Sequence, residues 1–236
     1  MDIQRIQKFL RDVAANNNRD WFHAHKAEYD ACQEDFRQGI DALIAQLAKV
    51  DPEIKYLTAK DCCYRFYRDV RFSQDKSPYK RHFGAYICSA GKKSLRGGYY
   101  IHVQPGQSLV AFGCYYLPTN ILTSCRNEIK GNIEHWKEAV ENGQFIKAFG
   151  YPNAGTWTDE EVSEKGFGLT ALKTAPKGFD KNDPDIDYLR MKDYVCWKHV
   201  DDNFFQGDEW MKKVVSLAKI AKPSMDIINS VVDDYI

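Results

Sequence analysis

Residues 97–116 read GGYYIHVQPGQSLVAFGCYY, and this stretch decides the fold that the sequence predicts. Two runs rich in Tyr, Ile, Val and Phe flank Gln104-Pro105-Gly106-Gln107, and a Pro-Gly pair in that setting is a strong hairpin signal. We therefore predict strands over residues 98–104 and 108–116 that pair as antiparallel neighbours. The same composition predicts two more strands upstream, over residues 63–72 and 83–89.

Helical periodicity dominates on both sides of these strands. Before them, a helix is predicted over residues 3–14, and Asn16-Asn17-Asn18 ends it and offers an N-cap for a second helix that runs to about Lys49. The second helix carries one apolar stripe, made of Phe22, Tyr29, Cys32, Phe36, Ile40, Leu43 and Leu47. After the strands, helices are predicted through 122–129, over 132–141, near 158–165 and over 208–221, with a last helix after a break at Pro223.

Helices, then a meander of strands, then helices again are typical of α+β proteins. The predicted fold class is therefore α+β, with N-terminal helices, a central antiparallel sheet meander and C-terminal helices. The chain has 236 residues and neither an internal repeat nor a low-complexity linker. We expect a single domain over residues 1–236.

Composition limits the classes of function that the chain fits. Net charge is zero and the pI is near 7.0, so the positive charge typical of nucleic-acid binders is missing. The N-terminus lacks the apolar run of a signal peptide, and no later stretch resembles a membrane span. Seven cysteines without a CxxC pair indicate neither a structural zinc site nor a thioredoxin-type motif. We expect a cytoplasmic protein with reduced thiols, no membrane contact, no metal and no cofactor.

The segment 65–80, RFYRDVRFSQDKSPYK, is the candidate site, because it concentrates charges and aromatic rings in a predicted strand and the loop after it. Guanidinium groups suit carboxylate or phosphate, with which they form bidentate hydrogen bonds. Alternation along a strand puts successive side chains on opposite faces. One face would carry Arg65, Tyr67, Asp69 and Arg71, and the other, facing the core except at its arginine, Phe66, Arg68, Val70 and Phe72.

These residues predict a basic, aromatic-lined pocket for a small anionic ligand that carries phosphate or carboxylate. Asp69 would orient an arginine, three arginines would bind the charge, and the loop would close over the ligand. The arginines are Arg65, Arg68 and Arg71, and the loop residues are Lys76, Tyr79 and Lys80. Residues 65–96 contain nine basic and two acidic residues, whereas 180–209 contain nine acidic and four basic ones. That asymmetry fits either an anion-binding face or two segments that neutralise each other.

His102 is the histidine expected to matter, because Tyr100, His102 and Gln104 alternate onto one face of a strand predicted near the arginine row. If the protein is an enzyme, His102 and Asp69 are its acid–base candidates. No motif defines an enzyme class, since the sequence contains no GxSxG, P-loop or GxGxxG pattern. A lone histidine on a strand is more often a structural group, and this alternative stays open.

Four stretches of the chain resemble one family, an uncharacterised and mainly bacterial group known as domain of unknown function 2461. They are FLRDVAANNNRDWFHAHKAEY (9–29), RFYRDVRFSQDKSPYK (65–80), YYIHVQPGQSLVAFGCYYLP (99–118) and LKTAPKGFDKNDPDIDYLRMKDY (172–194). The resemblance implies one family-length domain and no particular activity. It also implies that an N-terminal set folds toward the central site, with Arg19 as a further ligand-binding candidate. That set is Asn17, Arg19, Trp21, His25 and Lys26. The alternative interpretation of the same residues is a helix cap followed by core residues.

Two hypotheses of other kinds also stay open. One is a non-catalytic interaction module for a partner protein or a single-stranded nucleic acid, since aromatic residues interleave with basic ones in the central segment. In the other, the charges of residues 65–80 form only an internal network of the scaffold. A small anionic ligand remains the leading expectation, and the sequence predicts no oligomeric state.

Overall fold

The fold comes from a computed structural model, which describes residues 1–153, 155, 158 and 161–236. These residues contain nine α-helices and five strands, and the strands form one antiparallel sheet. The predicted α+β class is therefore confirmed, with helices at both ends of the chain. The helices are α1 (Ile3–Ala15), α2 (Arg19–Ala24), α3 (Lys26–Leu47), α4 (Ala59–Cys62), α5 (Thr119–Gly131), α6 (Ile133–Val140), α7 (Gly143–Phe149), α8 (Ile186–Arg190) and α9 (Glu209–Val232). The strands are β1 (Phe83–Ile87), β2 (Gly98–Val103), β3 (Leu109–Cys114), β4 (Lys165–Phe167) and β5 (Tyr194–His199).

The hairpin within residues 97–116 forms as predicted. β2 and β3 are neighbours in the sheet, and a hydrogen bond from Gln107 N to Gln104 O, 2.9 Å long, closes the turn. Gly106 has a φ of 74°, which glycine adopts without a steric penalty. The full strand order is β1-β2-β3-β5-β4. The last two strands, which no sequence pattern predicted, pair antiparallel with Gly166 opposite Trp197.

The strand predicted over residues 63–72 does not form, so that expectation is wrong. Only isolated bridges occur in this stretch, Cys63 with Ala85 and Tyr67 with Tyr79. The last backbone hydrogen bond toward the facing segment is from Arg68 N to Pro78 O, at 2.9 Å. Residues 63–68 therefore lie beside the chain leading into β1, and the stretch beyond them is a loop.

Side chains explain why the pairing ends there. Asp69 Oδ1 accepts a hydrogen bond from Arg71 N at 3.3 Å, and such local bonds compete with a strand ladder. The alternation predicted for this stretch consequently fails beyond Arg68. Phe72, which was expected to face the core, is 96% exposed.

The N-terminal helices follow the sequence closely. Asn18 caps α2 by accepting a hydrogen bond from Trp21 N at 2.9 Å. The helix predicted after this cap is two helices, because His25 has φ and ψ of −108° and 20°, which interrupts the helical backbone. All seven members of the predicted apolar stripe are buried, so the stripe is confirmed.

Two C-terminal predictions need correction. α9 continues through Pro223, where a break was expected. Proline removes one backbone donor from a helix. Ala221 and Met225, on either side of it, are buried, and this packing keeps the helix continuous. Residues 159 and 160 of the helix predicted near 158–165 lie outside the described residues, and Lys165 begins β4 instead.

The chain divides into two compact units, each with its own aromatic core. Unit 1 is Met1–Lys92, Tyr100–Leu109 and Val200–Val215, and unit 2 is Lys93–Tyr99, Val110–His199 and Ser216–Ile236. The core of unit 1 includes Phe9, Phe22, Tyr29, Phe66 and Phe83, and that of unit 2 includes Trp136, Phe145, Phe149, Phe167 and Tyr194. The single domain expected over 1–236 stays a prediction. No helix within the described ranges is both long and apolar enough to cross a membrane.

Candidate functional site

Unit 1 contains a group of polar and aromatic side chains that we call the Lys80 cluster. Backbone hydrogen bonds from Tyr64 N to Gly84 O and from Lys80 N to Phe66 O, each 2.9 Å long, hold two of its chain segments side by side. β2, the neighbour of β1 in the sheet, supplies the third segment. The members of the cluster are Tyr64, Arg65, Lys80, His82, Tyr100 and His102.

Lys80 and Arg65 are two neighbouring cations. Lys80 Nζ lies 5.1 Å from the centroid of the Tyr64 ring, in a cation–π arrangement. Burial lowers the pKa of Lys80, and the charge of Arg65 lowers it further. Neither side chain forms an ion pair with any residue that the structure describes. Two cations that repel each other without a carboxylate between them favour the binding of an anion.

His82 and His102 pack ring against ring, with centroids 4.2 Å apart. His102 is held at both nitrogens, since its Nδ1 lies 2.9 Å from the Tyr100 hydroxyl and its Nε2 lies 3.1 Å from Gln104 Oε1. His82, in contrast, forms no hydrogen bond with a described residue. Burial lowers the pKa of His82 to about 2, assisted by His102 and Lys80, so this imidazole is neutral at pH 7.

The Tyr100 side chain joins the two halves of the cluster. Its ring lies 6.4 Å from the Tyr64 ring, centroid to centroid, in an edge-on arrangement. Glycine at position 84 leaves room for it, because a Cβ there would lie 3.0 Å from the Tyr100 hydroxyl oxygen. The arrangement combines two cations, a neutral imidazole and a phenol, which are the donors that a phosphate or carboxylate needs.

Sequence reasoning missed Tyr64, His82 and Gly84. Strand alternation could have identified His82. His82 and Gly84 stand two residues apart, as Tyr100 and His102 do, and residues two apart on an extended chain point to the same side. When the two strands pair, both sets face the same side of the sheet. Tyr64 gave no such signal, since it lies in an irregular stretch that joins the sheet only through an isolated bridge at the preceding residue.

Arg71 and Asp69, two of the predicted site residues, pair with each other. Arg71 Nε and Nη2 donate to the two carboxylate oxygens of Asp69, at 3.0 and 2.7 Å. This guanidinium holds the pKa of Asp69 at about 2. Asp69 is therefore an ionised carboxylate at neutral pH, and its oxygens are occupied by Arg71.

Arg68 and Lys76 also find partners inside the loop. Arg68 Nη1 lies 2.5 Å from Asp75 Oδ2, and the pKa of Asp75 is held well below its usual range by Ser77 and by this guanidinium. Lys76 Nζ donates to Val70 O at 3.0 Å. The Arg68–Asp75 and Arg71–Asp69 pairs therefore neutralise two arginines within the loop, as the scaffold hypothesis requires for this part of the segment, whereas the carbonyl bonded to Lys76 leaves its charge in place.

Tyr79 is buried, and the N-terminal stretch holds it there. Its ring stacks on Phe22 with centroids 4.0 Å apart. Asn17 bonds both backbone groups of Tyr79, its Nδ2 donating to Tyr79 O at 2.9 Å and its Oδ1 accepting from Tyr79 N at 3.1 Å. Arg19 is exposed. Burial raises the pKa of Tyr79, and the positive charge of Arg19 partly opposes this increase. The N-terminal stretch thus reaches the central segment through Asn17 and Phe22.

The structure therefore divides the predicted site residues into separate groups. Arg65, Lys80 and His102 come together in the Lys80 cluster. Tyr79 belongs to the core, and Arg19 lies on the surface near it. The remaining four occupy the self-paired loop, and they are Arg68, Asp69, Arg71 and Lys76. Nowhere in the described part of the chain do three or more His, Cys, Asp or Glu side chains form a group suited to a metal ion.

The structure establishes an α+β protein with a cluster of cations, imidazoles and phenols. This arrangement does not identify an activity. Over residues 5–226 the chain matches the family described as conserved hypothetical protein (DUF2461), so it belongs to that family. The match extends over both compact units. A comparison with curated proteins and one with solved structures gave no match.

Proposed function

We propose that the Lys80 cluster binds a small anionic ligand that carries a phosphate or carboxylate group. The observation that carries this proposal is the pair of neighbouring cations, Lys80 and Arg65, which repel each other and have no ion-pair partner among the described residues. An anion between them removes that repulsion and replaces the water that Lys80 has lost on burial. Both effects stabilise the bound state.

The rest of the cluster adds specificity to this electrostatic attraction. The neutral imidazole of His82 offers one N–H donor to an anion and one acceptor to a ligand hydroxyl. Tyr64 is 37% exposed, so the cluster is open to solvent on that side. His102, fixed by Gln104 and Tyr100, positions the Tyr100 hydroxyl beside the site. Proton transfer by His102 or Asp69 stays a prediction.

Thermal unfolding in the presence of anions tests the proposal. Phosphate, sulfate and citrate, compared at constant ionic strength, are expected to raise the melting temperature of the wild-type protein by mass action. Lys80→Met and Arg65→Met are expected to abolish the rise. Lys76→Met is the matched control, because Lys76 is a lysine of the same segment whose ammonium group bonds Val70 O. The control should keep the full response.

Two results would overturn the proposal. One is a melting temperature that no anion raises, and the other is a response that Lys76→Met reduces as much as Lys80→Met does. Circular dichroism of each variant, recorded without anion, separates loss of binding from loss of folding.

A second candidate function rests on the 68–77 loop. Phe72 is 96% exposed at its tip, and the Arg71 guanidinium lies 5.8 Å from the centroid of the Phe72 ring. An exposed aromatic ring beside a cation suits a partner protein or a base of single-stranded nucleic acid. A salt-dependent gel shift of a single-stranded oligonucleotide, lost in Phe72→Ala and kept in Lys80→Met, would favour this interaction module over the anion site.

We also propose that the protein resides in the cytoplasm. All seven cysteines are free thiols, and every one except Cys63 is buried. Burial raises the pKa of several of these thiols, Cys62 and Cys125 to about 12 among them. Neutral buried thiols of this kind persist in a reducing compartment.

A further inference from the structure

A chain of hydrogen-bonded side chains runs from the turn between β2 and β3 into the Lys80 cluster. Gln104 Nε2 donates to Gln107 Oε1 at 2.7 Å, so the other amide atom of Gln104, its Oε1, faces His102. An amide oxygen only accepts, and His102 Nε2, 3.1 Å away, therefore carries a proton. Burial favours the neutral form of this imidazole, which is 8% exposed and has one N–H. Its Nδ1 is consequently an acceptor.

This direction fixes the proton of the Tyr100 hydroxyl. The hydroxyl oxygen lies 2.9 Å from His102 Nδ1, so the phenol donates its one proton to that nitrogen. The phenolic oxygen can then only accept further hydrogen bonds, for which it has two lone pairs. Toward a ligand Tyr100 is therefore an acceptor. It repels the oxygens of a phosphate or carboxylate and suits an O–H group.

The hairpin holds this chain of hydrogen bonds in place. Ser108, which is fully buried, accepts from Gln104 N at 3.0 Å and donates to Gln104 O at 2.9 Å. His102 is fixed at both nitrogens and packs against the ring of His82. The direction of the Tyr100 proton is thus set by the protein itself, before any ligand arrives.

The Tyr100 hydroxyl and the cations belong to one part of unit 1. Lys80 Nζ and the Tyr100 ring both lie next to the Tyr64 ring. The charge of Lys80 also acts on His82, whose ring packs against His102. Lys80, His82 and Tyr100 are each half-buried, so each keeps some surface open to solvent. A ligand whose anionic group is held by Lys80 therefore has its neighbouring atoms near Tyr100.

Other members of the cluster supply the donors for the anionic group. The side chains of Tyr64 and His82 form no hydrogen bond with a described residue, so their O–H and N–H can join Lys80 and Arg65 in binding an anion. Tyr100 is left for a part of the ligand that has a proton of its own. Sulfate, which has no such proton, would use only the donors.

We propose that the ligand of the Lys80 cluster is a small hydroxylated anion. Its phosphate or carboxylate binds Lys80 and Arg65, and a hydroxyl group of the same molecule donates to the Tyr100 oxygen. The inference rests on the proposed anion site and narrows its ligand to hydroxy acids and phosphorylated polyols or sugars. Tyr100 distinguishes such ligands from plain anions, and His102 and Gln104 position its proton.

Two pairs of compounds test the inference, because the members of each pair differ only in hydroxyl groups. Malate and succinate are the carboxylate pair, and glycerol 3-phosphate and propyl phosphate are the phosphate pair, so the anionic group is tested as well. Calorimetric titration of the wild-type protein should show that the hydroxylated member of at least one pair binds about tenfold more tightly. Tyr100→Phe should abolish that advantage and keep the binding of the member without a hydroxyl.

Tyr56→Phe is the matched control, because Tyr56 is an exposed tyrosine of unit 1 whose ring centroid lies 4.6 Å from Lys55 Nζ. It should keep the full preference for the hydroxylated member. Lys80→Met should weaken both members of a pair by the same factor. Nitrogen NMR of the wild-type histidine rings at pH 8, without ligand, should find the His102 proton on Nε2.

The outcomes separate this inference from the anion site on which it rests. If the anions bind and neither pair shows a preference for its hydroxylated member, the inference is overturned and the anion site stands. If sulfate and phosphate do not bind either, both are overturned. A preference that Tyr100→Phe retains, or a His102 proton found on Nδ1, also overturns the inference. If Tyr100→Phe does not fold, the ligand pairs and the NMR measurement on the wild-type protein decide the question.

Discussion

The imidazole rings of His82 and His102 lie 4.2 Å apart, yet their surroundings differ. His102 is hydrogen-bonded at both nitrogens by Tyr100 and Gln104, whereas His82 forms no hydrogen bond with a described residue. One ring is therefore fixed in place, and the other is available to a ligand.

The depressed pKa of His82 makes the protein less stable in acid. In the unfolded chain His82 binds a proton near pH 6.5, whereas in the folded protein its pKa is about 2. Between these values the unfolded state holds the extra proton, so stability falls as the pH falls below about 6.5. His82→Gln should remove up to about 1.4 kcal/mol of this loss per pH unit. Urea unfolding at pH 7.5 and 5.5 measures it, and equal pH dependence in both proteins would contradict the assignment.

Anion binding to the Lys80 cluster should weaken at high pH. The pKa of Lys80 is below its ordinary value of 10.5, so its charge is lost as the pH rises through that lowered value. Burial raises the pKa of the neighbouring Tyr64, which therefore stays neutral over the same range. Sulfate is the suitable probe, since its own charge is constant there. Calorimetric titration at pH 7 and pH 10 should show a clear loss of affinity.

Lys80→Arg is the control for that titration, because a guanidinium remains charged at pH 10. The variant should bind sulfate equally well at both pH values. If it loses affinity in parallel with the wild type, another group causes the pH dependence.

Removal of the Asn17 side chain should destabilise unit 1. Asn17→Ala leaves Tyr79 N and Tyr79 O without their partners beside a buried ring, at a cost of about 1–3 kcal/mol. Asn127→Ala is the control, since Asn127 is exposed on α5 and its side chain has no hydrogen bond to a described residue. It should change stability by no more than about 0.5 kcal/mol. Chemical unfolding of both variants checks the difference, and equal effects would refute the role of Asn17.

Gly113 should tolerate no side chain. Its φ is 108°, and a Cβ there would lie 2.1 Å from Tyr194 O on β5. Gly113→Ala should cost about 3 kcal/mol or more, because neither backbone can move without breaking the sheet. Gly131, at the end of α5, has nothing within 4 Å of an added Cβ. Gly131→Ala should be neutral or slightly stabilising, and thermal unfolding that ranks the two variants the other way would contradict this account.

The sequence predicted local structure well where one signal dominated. The Pro105-Gly106 turn and the apolar stripe beginning at Phe22 required no knowledge of distant residues, because backbone conformation and helical periodicity are local properties. The continuous helix through Pro223 is the exception. There the packing of buried residues on both sides of the proline, Ala221 and Met225, offsets the loss of one backbone hydrogen bond.

The candidate site depended far more on the tertiary structure. By itself the sequence determined that residues 65–80 combine an unusual number of charges with aromatic rings, and that Lys80, Arg65 and His102 were candidates. Only the fold decided which charges pair with each other. Asp69 and Asp75 lie close enough along the chain to neutralise Arg71 and Arg68. Lys80 is instead brought beside Arg65 and His82, because electrostatic pairing depends on distance in space, which spacing along an irregular segment does not specify.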